Sequence, residues 1–292
     1  MAGSRSVDRF IPGRPHWWQW MTILSFDAPL VAMAWQPPLA HAIDASLQWY
    51  HSFILGAGVW LAYAADRWIE GWRLDPAQVQ TQRHWFYQQA RWPVAAVWLA
   101  VLVGAVAMSF TRLSRAEMTF GFILLGPVGL YLLSHQLVHR ESPWRLPKEL
   151  CVALLLVGGV GCFPLAQRPD AAISLLVPLA LFGLLCFANC LLISHWENEV
   201  DRAHGQTSLA RQFPHGRPLA YALPWAVAAV AAGLLVFGPH RLDAIAACTL
   251  ASGVLLGALD RLHNRVGRQL ARALADVTLM TPYVLLLAGA TA

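Results

Sequence analysis

Long apolar stretches dominate this sequence and constrain its fold more than any other feature. Nine of them have roughly the twenty residues that a helix needs to cross a bilayer. Their approximate ranges are 21–43, 46–66, 92–110, 118–138, 149–166, 172–195, 219–238, 242–262 and 270–290. The 292 residues are 57% hydrophobic and 13% charged, which excludes a water-soluble globular protein. The sequence therefore predicts an all-α polytopic membrane protein, a single nine-helix bundle over 1–292 that begins with a short polar cytoplasmic segment at 1–20.

The positions of Lys and Arg predict the orientation of this bundle. Positive residues collect in the short loops on the cytoplasmic side of a membrane. If the nine stretches cross in alternation, 17 of the 21 Lys and Arg lie on the side of the N-terminus. We therefore expect an integral protein of the cytoplasmic or plasma membrane with its N-terminus in the cytoplasm. The net charge of +5 follows from this topology, so the sequence predicts the lipid bilayer as a partner and no nucleic acid.

Two acidic pairs stand at the predicted cytoplasmic ends of helices. Asp66 and Glu70 close the second apolar stretch, and Glu197 and Asp201 follow the sixth. Residues four apart lie on one face of a helix, about 6 Å apart at Cβ, where two like charges repel unless a cation lies between them. In both pairs the Asp is followed directly by Arg. This doubled spacing predicts two helix ends that present Mg²⁺ to a phosphate group from the cytoplasmic side.

The residues after the second pair extend the pattern. Glu197-x-x-x-Asp201 is followed by Gly205 four residues after the Asp and by Ser208 seven residues after it. This run resembles the second aspartate-rich motif of the UbiA-type intramembrane prenyltransferase superfamily, in which Gly and then Ser or Thr stand at these two positions. The spacing matches throughout.

Other parts of the chain resemble the same family. The first pair, read as Asp66-Arg67-x-x-Glu70, is similar to the end of the family's Asn-Asp-x-x-Asp-Arg-x-x-Asp motif. Two loops are similar as well: Thr81-x-Arg83 to the family's Thr-x-x-Arg-Pro loop, and His139-Arg140 with Pro147-Lys148 to its basic loop after the fourth helix. With nine helices and both acidic motifs on the inner side, the resemblance covers most of the chain.

Three positions depart from the family pattern. Ala62-Tyr63 stands where the first motif begins with Asn-Asp, and Ser194 stands where the second motif begins with Asp. His84 replaces the Pro that should follow Arg83. Each acidic motif has therefore lost its outermost polar ligand and kept its inner acid pair.

The resemblance implies Mg²⁺-dependent transfer of a prenyl group from a polyprenyl diphosphate to a membrane-associated acceptor, which is hydrophobic or aromatic. It also implies that four carboxylates are both catalytic and metal-ligating: Asp66, Glu70, Glu197 and Asp201. The candidate substrate-binding residues are Arg83, Arg140, Lys148 and Arg211 for the diphosphate, Tyr63 for shielding a carbocation, and Ser208 in the second motif.

Two alternative functions use the same features. A terpene synthase on this scaffold would ionise a prenyl diphosphate with the same acids and need no acceptor. A lipid-binding or transport protein could have kept the fold and lost the chemistry. Among the remaining charged residues, Arg272 and Asp276 are four apart and are expected to form an ion pair within one helix. Asp27 interrupts the first apolar stretch, and an acid inside a membrane is a functional candidate by default.

Overall fold

The protein is helical throughout the part of the chain that the structure describes. This structure is a computed structural model, and it describes residues 13–73, 79, 81–137, 147–203 and 208–287. These ranges contain no strand. The α-helices are α1 (Trp20–Ile23), α2 (Asp27–His41), α3 (Trp49–Arg73), α4 (Gln82–Gln89), α5 (Arg91–Arg112), α6 (Arg115–Leu137), α7 (Lys148–Gln167), α8 (Ala172–Trp196), α9 (Asn198–Ala203), α10 (Leu209–Gln212), α11 (Arg217–Phe237), α12 (Asp243–Val266), α13 (Arg268–Thr278) and α14 (Pro282–Leu287).

Six of these helices are long and apolar enough to cross a membrane, namely α5, α6, α7, α8, α11 and α12. Each of them coincides with one of the predicted apolar stretches, and the chain is an all-helical, multi-pass membrane protein. α3 has 25 residues but is not among the six, and α2 has only 15. The last predicted stretch is divided into α13 and α14. The number of nine spans and the cytoplasmic N-terminus stay predictions from the sequence.

The break between α13 and α14 is held by the core of the bundle. Trp35 on α2 is fully buried, and its ring lies 5.1 Å from that of Phe182 on α8. Its indole Nε1–H donates a 2.7 Å hydrogen bond to the carbonyl oxygen of Leu279, which lies in the break. A carbonyl group that leaves a helix inside an apolar bundle needs such a donor, because no water is available there. Trp35 therefore fixes α2, α8 and the break to one another.

Two helices stand at the edge of the bundle. α5 packs against α3, and α6 packs against α7, while only a short turn at 113–114 joins α5 to α6. Both carry exposed apolar side chains outside the cavity lining, such as Val103 at 60% and Ile123 at 67% exposure. An apolar face of this extent suits contact with lipid. The space that α5 and α6 enclose against the core helices is the cavity described next.

Candidate functional site

One cavity runs from a polar end into the apolar interior of the bundle. It has a volume of about 480 Å³ and is lined by residues of α2, α3, α4, α5, α6, α7, α8, α9 and α13. Along α3 the lining extends from Ile54 to Glu70, which corresponds to about 24 Å of helix. The four predicted carboxylates and four basic residues all line it: Asp66, Glu70, Glu197, Asp201, Arg67, Arg83, Lys148 and Arg272.

The first acid pair belongs to one unbroken helix. α3 continues to Arg73, so Asp66 and Glu70 lie one helical turn apart and both line the cavity. Arg67 Nη1 lies 3.4 Å from Glu70 Oε2, and His84 Nε2 lies 3.2 Å from the same oxygen. Both of these partners are close to Glu70 in the sequence: Arg67 is on the same helix, and His84 is on α4, which packs against α3.

His84 is held in a single neutral form by the start of α4. Thr81 is the N-cap residue of this helix, and its hydroxyl oxygen accepts the backbone N–H of His84 at 3.5 Å. The same hydroxyl lies 2.6 Å from His84 Nδ1, and in a neutral imidazole that donates from Nε2 to Glu70, Nδ1 accepts the hydroxyl proton. Burial, opposed by the hydrogen bond to Glu70, lowers the pKa of His84 to about 3. The imidazole is therefore neutral at pH 7.

Glu197 in the second pair is held by two arginines from distant parts of the chain. Arg272 Nη1 on α13 donates to Glu197 Oε2, across 75 residues of sequence. Arg83 Nη2 on α4 lies 3.5 Å from the same oxygen, across 114 residues. Burial alone would raise the pKa of Glu197, but Arg272 and Arg83 outweigh it and hold this pKa at about 2. Glu197 is therefore ionised over the whole physiological range.

The second pair lies where one helix ends and another begins. α8 ends at Trp196 and α9 begins at Asn198, with Glu197 between them. The backbone N–H of Asp201 still donates to the carbonyl oxygen of Glu197 at 2.9 Å, so the two acids keep a helical spacing across the junction. Lys148 Nζ, at the start of α7, lies 3.9 Å from Asp201 Oδ1.

The arginines at this end of the cavity retain hydrogen-bonding capacity. Arg83 Nε and Nη1 and Arg272 Nε are buried and have no hydrogen-bond partner among the described residues. Burial and the nearby Arg272 and Arg67 lower the pKa of Arg83 to about 9, so its guanidinium still carries its charge at neutral pH. Buried polar groups are nearly always satisfied in native proteins. These donors therefore fit an anionic ligand with several oxygen atoms.

The comparisons with known proteins agree with this architecture. The apo structure of a UbiA homolog from Aeropyrum pernix K1 superposes with a TM-score of 0.60 over 90% of this chain and 98% of that chain, at 16% sequence identity. The protein has a UbiA-type fold. At this identity the likeness confirms, at the level of the fold, the resemblance drawn from the sequence. No protein-family model and no curated protein matches the chain.

In this UbiA-type fold, two departures from the family motifs have structural roles. Ser194, in place of the motif's first Asp, lines the cavity, and its Oγ accepts the backbone N–H of Ala210 at 3.2 Å. It thereby attaches α10, which follows the second motif, to α8. His84, in place of a Pro, supplies the neutral donor to Glu70. Both replacement side chains therefore make hydrogen bonds that hold the site together.

The other predicted substrate-binding residues lie in different places. Tyr63 and Lys148 line the cavity. Ser208 is buried at the start of α10 and Arg211 is exposed on that helix, and neither belongs to the lining. Arg140 lies outside the described residues, as does Gly205 of the second motif.

Sequence reasoning assigned Arg272 to the wrong partner and missed several cavity residues. Arg272 bonds to Glu197 and not to Asp276, which instead accepts a 2.8 Å hydrogen bond from Asn189 Nδ2. Asn189 gave no signal, because it is one polar residue in a long apolar run. Asp27 also lines the cavity, and its position inside an apolar stretch was the available clue.

A metal ion would find carboxylates but no complete protein cage at this end of the cavity. Among the described residues, no group of three His, Cys, Asp or Glu side chains could hold a metal on its own. Mg²⁺ does not need such a group, since it is usually bound by one or two carboxylates, several waters and the phosphates of a substrate. Asp66 with Glu70, and Asp201 beside Glu197, offer two such pairs at the cavity wall. The donor set therefore fits Mg²⁺ together with a phosphate ligand.

Proposed function

We propose that the protein transfers a prenyl group from a polyprenyl diphosphate to a membrane-associated acceptor, in a reaction that depends on Mg²⁺. The observation that carries this proposal is the cavity itself, which joins a cluster of carboxylates and guanidinium groups to a long apolar channel. A prenyl diphosphate has the same division between a highly charged head and an apolar tail. The UbiA-type fold supports the same reaction class at the level of the superfamily.

The basic residues would bind the diphosphate. Arg83 and Arg272 have buried N–H groups that lack partners among the described residues, and Lys148 lies at the cavity wall beside Asp201. Positioned cationic donors stabilise the negative charge that grows on a leaving group as its bond breaks, and they act most strongly where water is excluded. These three residues would hold the departing diphosphate at the polar end of the cavity.

The acids would hold the metal. Asp66, Glu70, Glu197 and Asp201 are the residues that would bind Mg²⁺, which as a Lewis acid neutralises the charge of the leaving diphosphate. Glu197 also orients Arg272 and Arg83 through its hydrogen bonds to both. His84 fixes Glu70 through Nε2–H without adding a positive charge of its own.

The apolar walls would hold the prenyl tail and keep it dry. Side chains such as Leu102, Phe122 and Val128 line the channel beyond the polar end. Two aromatic rings, Tyr63 and Tyr131, also line it. The face of an aromatic ring attracts a cation, so these rings would stabilise the allylic cation that forms when the C–O bond breaks.

The decisive experiment measures pyrophosphate release by the protein purified in detergent, with geranyl, farnesyl or geranylgeranyl diphosphate, with and without Mg²⁺. Asp66→Ala and Asp201→Ala should each lower Mg²⁺-dependent release by at least about 100-fold while the protein still folds. Asp170→Ala is the matched control, because Asp170 is an exposed acid outside the cavity, next to α8. Unchanged release in both site variants would overturn the assigned site.

The products separate the alternative functions. Prenylated acceptor formed only when acceptor is added supports the transferase. A hydrocarbon or terpene alcohol formed without acceptor would instead assign a terpene synthase to the same acids. If Mg²⁺-dependent diphosphate binding is absent, the protein is a lipid-binding or transport protein on this fold.

A further inference from the structure

Three tryptophans surround one arginine on the outer surface of the bundle. Trp68 and Trp72 lie one helical turn apart on α3, and their ring centres are 5.1 Å apart. Trp92, at the start of α5, has its ring 6.4 Å from that of Trp72. The guanidinium carbon of Arg91 lies 5.8 Å from the ring centre of Trp72 and 5.9 Å from that of Trp92. We call these four residues the Arg91–tryptophan cluster. None of them lines the cavity.

The cluster is open to its surroundings. Trp72 is 54% exposed, Trp92 is 66% exposed, and Arg91 is exposed as well. Cation–π contacts hold the guanidinium between the two rings. Within the described part of the chain, this guanidinium forms no hydrogen bond or ion pair with another side chain. Its N–H groups are therefore available to a ligand outside the protein.

The cluster lies at the depth of the lipid headgroups. Arg91 is the first residue of α5, which continues to Arg112 and is one of the six helices long and apolar enough to cross a membrane. The first residues of a spanning helix lie at the boundary of the hydrocarbon layer, where tryptophan rings are enriched. Arginine side chains at this boundary extend towards the headgroups. Arg91 is therefore placed at the level of the lipid phosphates, and Trp92 is placed beside the first acyl carbons.

The charge of this surface favours an anionic lipid. Arg73 directly follows Trp72 and is also exposed, which adds a second positive charge. The nearest acids before it on the described part of α3, Asp66 and Glu70, line the cavity instead. A guanidinium group can bind two oxygens of one phosphate at once. A zwitterionic lipid offers the same phosphate, but its ammonium group would be repelled by the second arginine, whereas an anionic lipid carries no such group.

The same arginine is connected to the helix that carries Arg83 and His84. α4 ends at Gln89, and only Ala90 separates it from Arg91. The backbone carbonyl oxygen of Arg91 accepts a 3.0 Å hydrogen bond from Trp68 Nε1–H, which attaches the junction of α4 and α5 to α3. With eight residues, α4 is too short to be stable alone and depends on the contacts that hold its ends. A lipid bound at Arg91 would hold its C-terminal end.

We propose that the Arg91–tryptophan cluster binds the headgroup of one anionic phospholipid and thereby stabilises α4. Arg91 binds the phosphodiester, and the rings of Trp72 and Trp92 pack against the glycerol and the first acyl carbons. Through α4, the bound lipid keeps Arg83 and His84 at the polar end of the cavity. The lipid site lies outside the cavity, so it does not depend on the proposed prenyl transfer.

The test compares dioleoylphosphatidylglycerol with dioleoylphosphatidylcholine. Their binding to the full chain in detergent is measured by native mass spectrometry. We expect the anionic lipid to bind at least about fivefold more tightly. Arg91→Gln should weaken its binding about fivefold or more, and Trp92→Leu, which keeps the charge but removes one ring, about threefold or more. Arg112→Gln is the matched control, because Arg112 is an exposed arginine at the other end of α5, and it should change the affinity by less than about twofold.

Hydrogen exchange tests the effect on α4. The anionic lipid should slow exchange of the backbone amides of α4 by about fivefold or more in the unsubstituted protein, and by less than about twofold in Arg91→Gln. Equal affinities for the two lipids, or an unchanged affinity for the anionic lipid in Arg91→Gln, would overturn the lipid site. Displacement of the bound lipid by excess inorganic phosphate would also overturn it, because the site would then bind any phosphate. Unchanged exchange of α4 with the lipid bound would refute its stabilisation.

Discussion

Glu70 in the first acid pair and Glu197 in the second line the same end of one cavity, but their neighbours differ in origin and charge. Glu70 is held by Arg67 from its own helical turn and by the neutral imidazole of His84. Glu197 is held by two guanidinium groups that reach it from α4 and α13. Arg67 and His84 are therefore near Glu70 in the sequence, whereas Arg83 and Arg272 reach Glu197 only because distant helices pack together.

Because their neighbours differ, the two similar acid pairs can have different roles in binding. One of the donors to Glu70 in the first pair is the imidazole of His84, which is neutral and adds no positive charge of its own. The second pair has a full complement of positive charge around Glu197, and the guanidinium groups retain unused N–H donors. We infer that the first pair contributes more to the binding of Mg²⁺ and the second more to the binding of the diphosphate. The predictions below test this contrast, beginning with the largest expected effect.

Replacing Arg272 should destabilise the protein more than any other single change at this end of the cavity. Arg272→Ala leaves Glu197 buried with one partner, and Glu197 is only 8% exposed. Breaking a buried ion pair by removing one member costs about 3–5 kcal/mol. We expect a loss of this size in the free energy of unfolding, measured by denaturant or thermal unfolding in detergent.

A double variant and a control show whether the loss comes from the buried charge. Glu197→Gln combined with Arg272→Ala should recover part of the stability, because the buried carboxylate is gone, although the buried Arg83 then loses its carboxylate partner. Arg268→Ala should have little effect, since Arg268 is exposed one turn earlier on α13. A loss below about 1 kcal/mol in Arg272→Ala would mean that the second pair does not depend on this distant contact.

Mild acid should lower the free energy of unfolding through His84 at the first pair and not through Glu197 at the second. The pKa of His84 is about 3 in the folded protein and about 6.5 in an unfolded chain. Below pH 6.5 the unfolded state binds a proton that the folded state does not, so stability falls as the pH falls towards 3. From pH 7 to pH 5 the loss should reach about 2 kcal/mol. It is measured by unfolding without Mg²⁺.

His84→Gln is the matched variant for this measurement. Gln can still donate to Glu70 but does not titrate, so the loss between pH 7 and pH 5 should largely disappear. Glu197 does not contribute in this range, since its pKa of about 2 is compared with about 4.3 in an unfolded chain. Its stabilisation is lost only as the pH falls below about 4.3. An identical pH dependence in His84→Gln and the unsubstituted protein would contradict the neutral state of His84.

The sequence predicted the helices of this fold better than their ends. Six apolar stretches coincide with helices long enough to span a membrane, because length and composition decide this locally. The break in the last stretch was missed, although Pro282 begins α14 and the residue before a proline avoids the helical conformation. The junction at Glu197 has neither glycine nor proline next to it, so nothing local signals it.

The candidate site was predicted where its residues are close in sequence. The spacing of Asp66 and Glu70 needs only one helix, and both residues line the cavity. The pairing of Arg272 with Glu197 spans 75 residues and depends on how α13 packs, whereas the spacing rule alone pairs Arg272 with Asp276. A membrane sequence therefore shows which charged residues are present more readily than which of them form ion pairs, because any helix in the bundle can supply the partner.

Replacing Arg211 should have the smallest effect on diphosphate binding, and it tests whether the cations around the second pair include this residue of α10. It follows Asp201 closely in sequence, but it is exposed on α10 and does not line the cavity. The start of α10 is held by backbone N–H groups, from Leu209 to Glu149 Oε1 at 3.0 Å and from Ala210 to Ser194 Oγ at 3.2 Å, so Arg211 is not needed to position the helix. Exposed charges contribute little to ligand binding, because water screens them.

Arg211→Ala should change the affinity for farnesyl thiolodiphosphate, an analogue that does not ionise, by less than about twofold in equilibrium dialysis with Mg²⁺. Arg83→Ala should lower this affinity at least about tenfold. Equal losses in the two variants would show that the second pair recruits its cations from the adjoining loop as well as from α4 and α13.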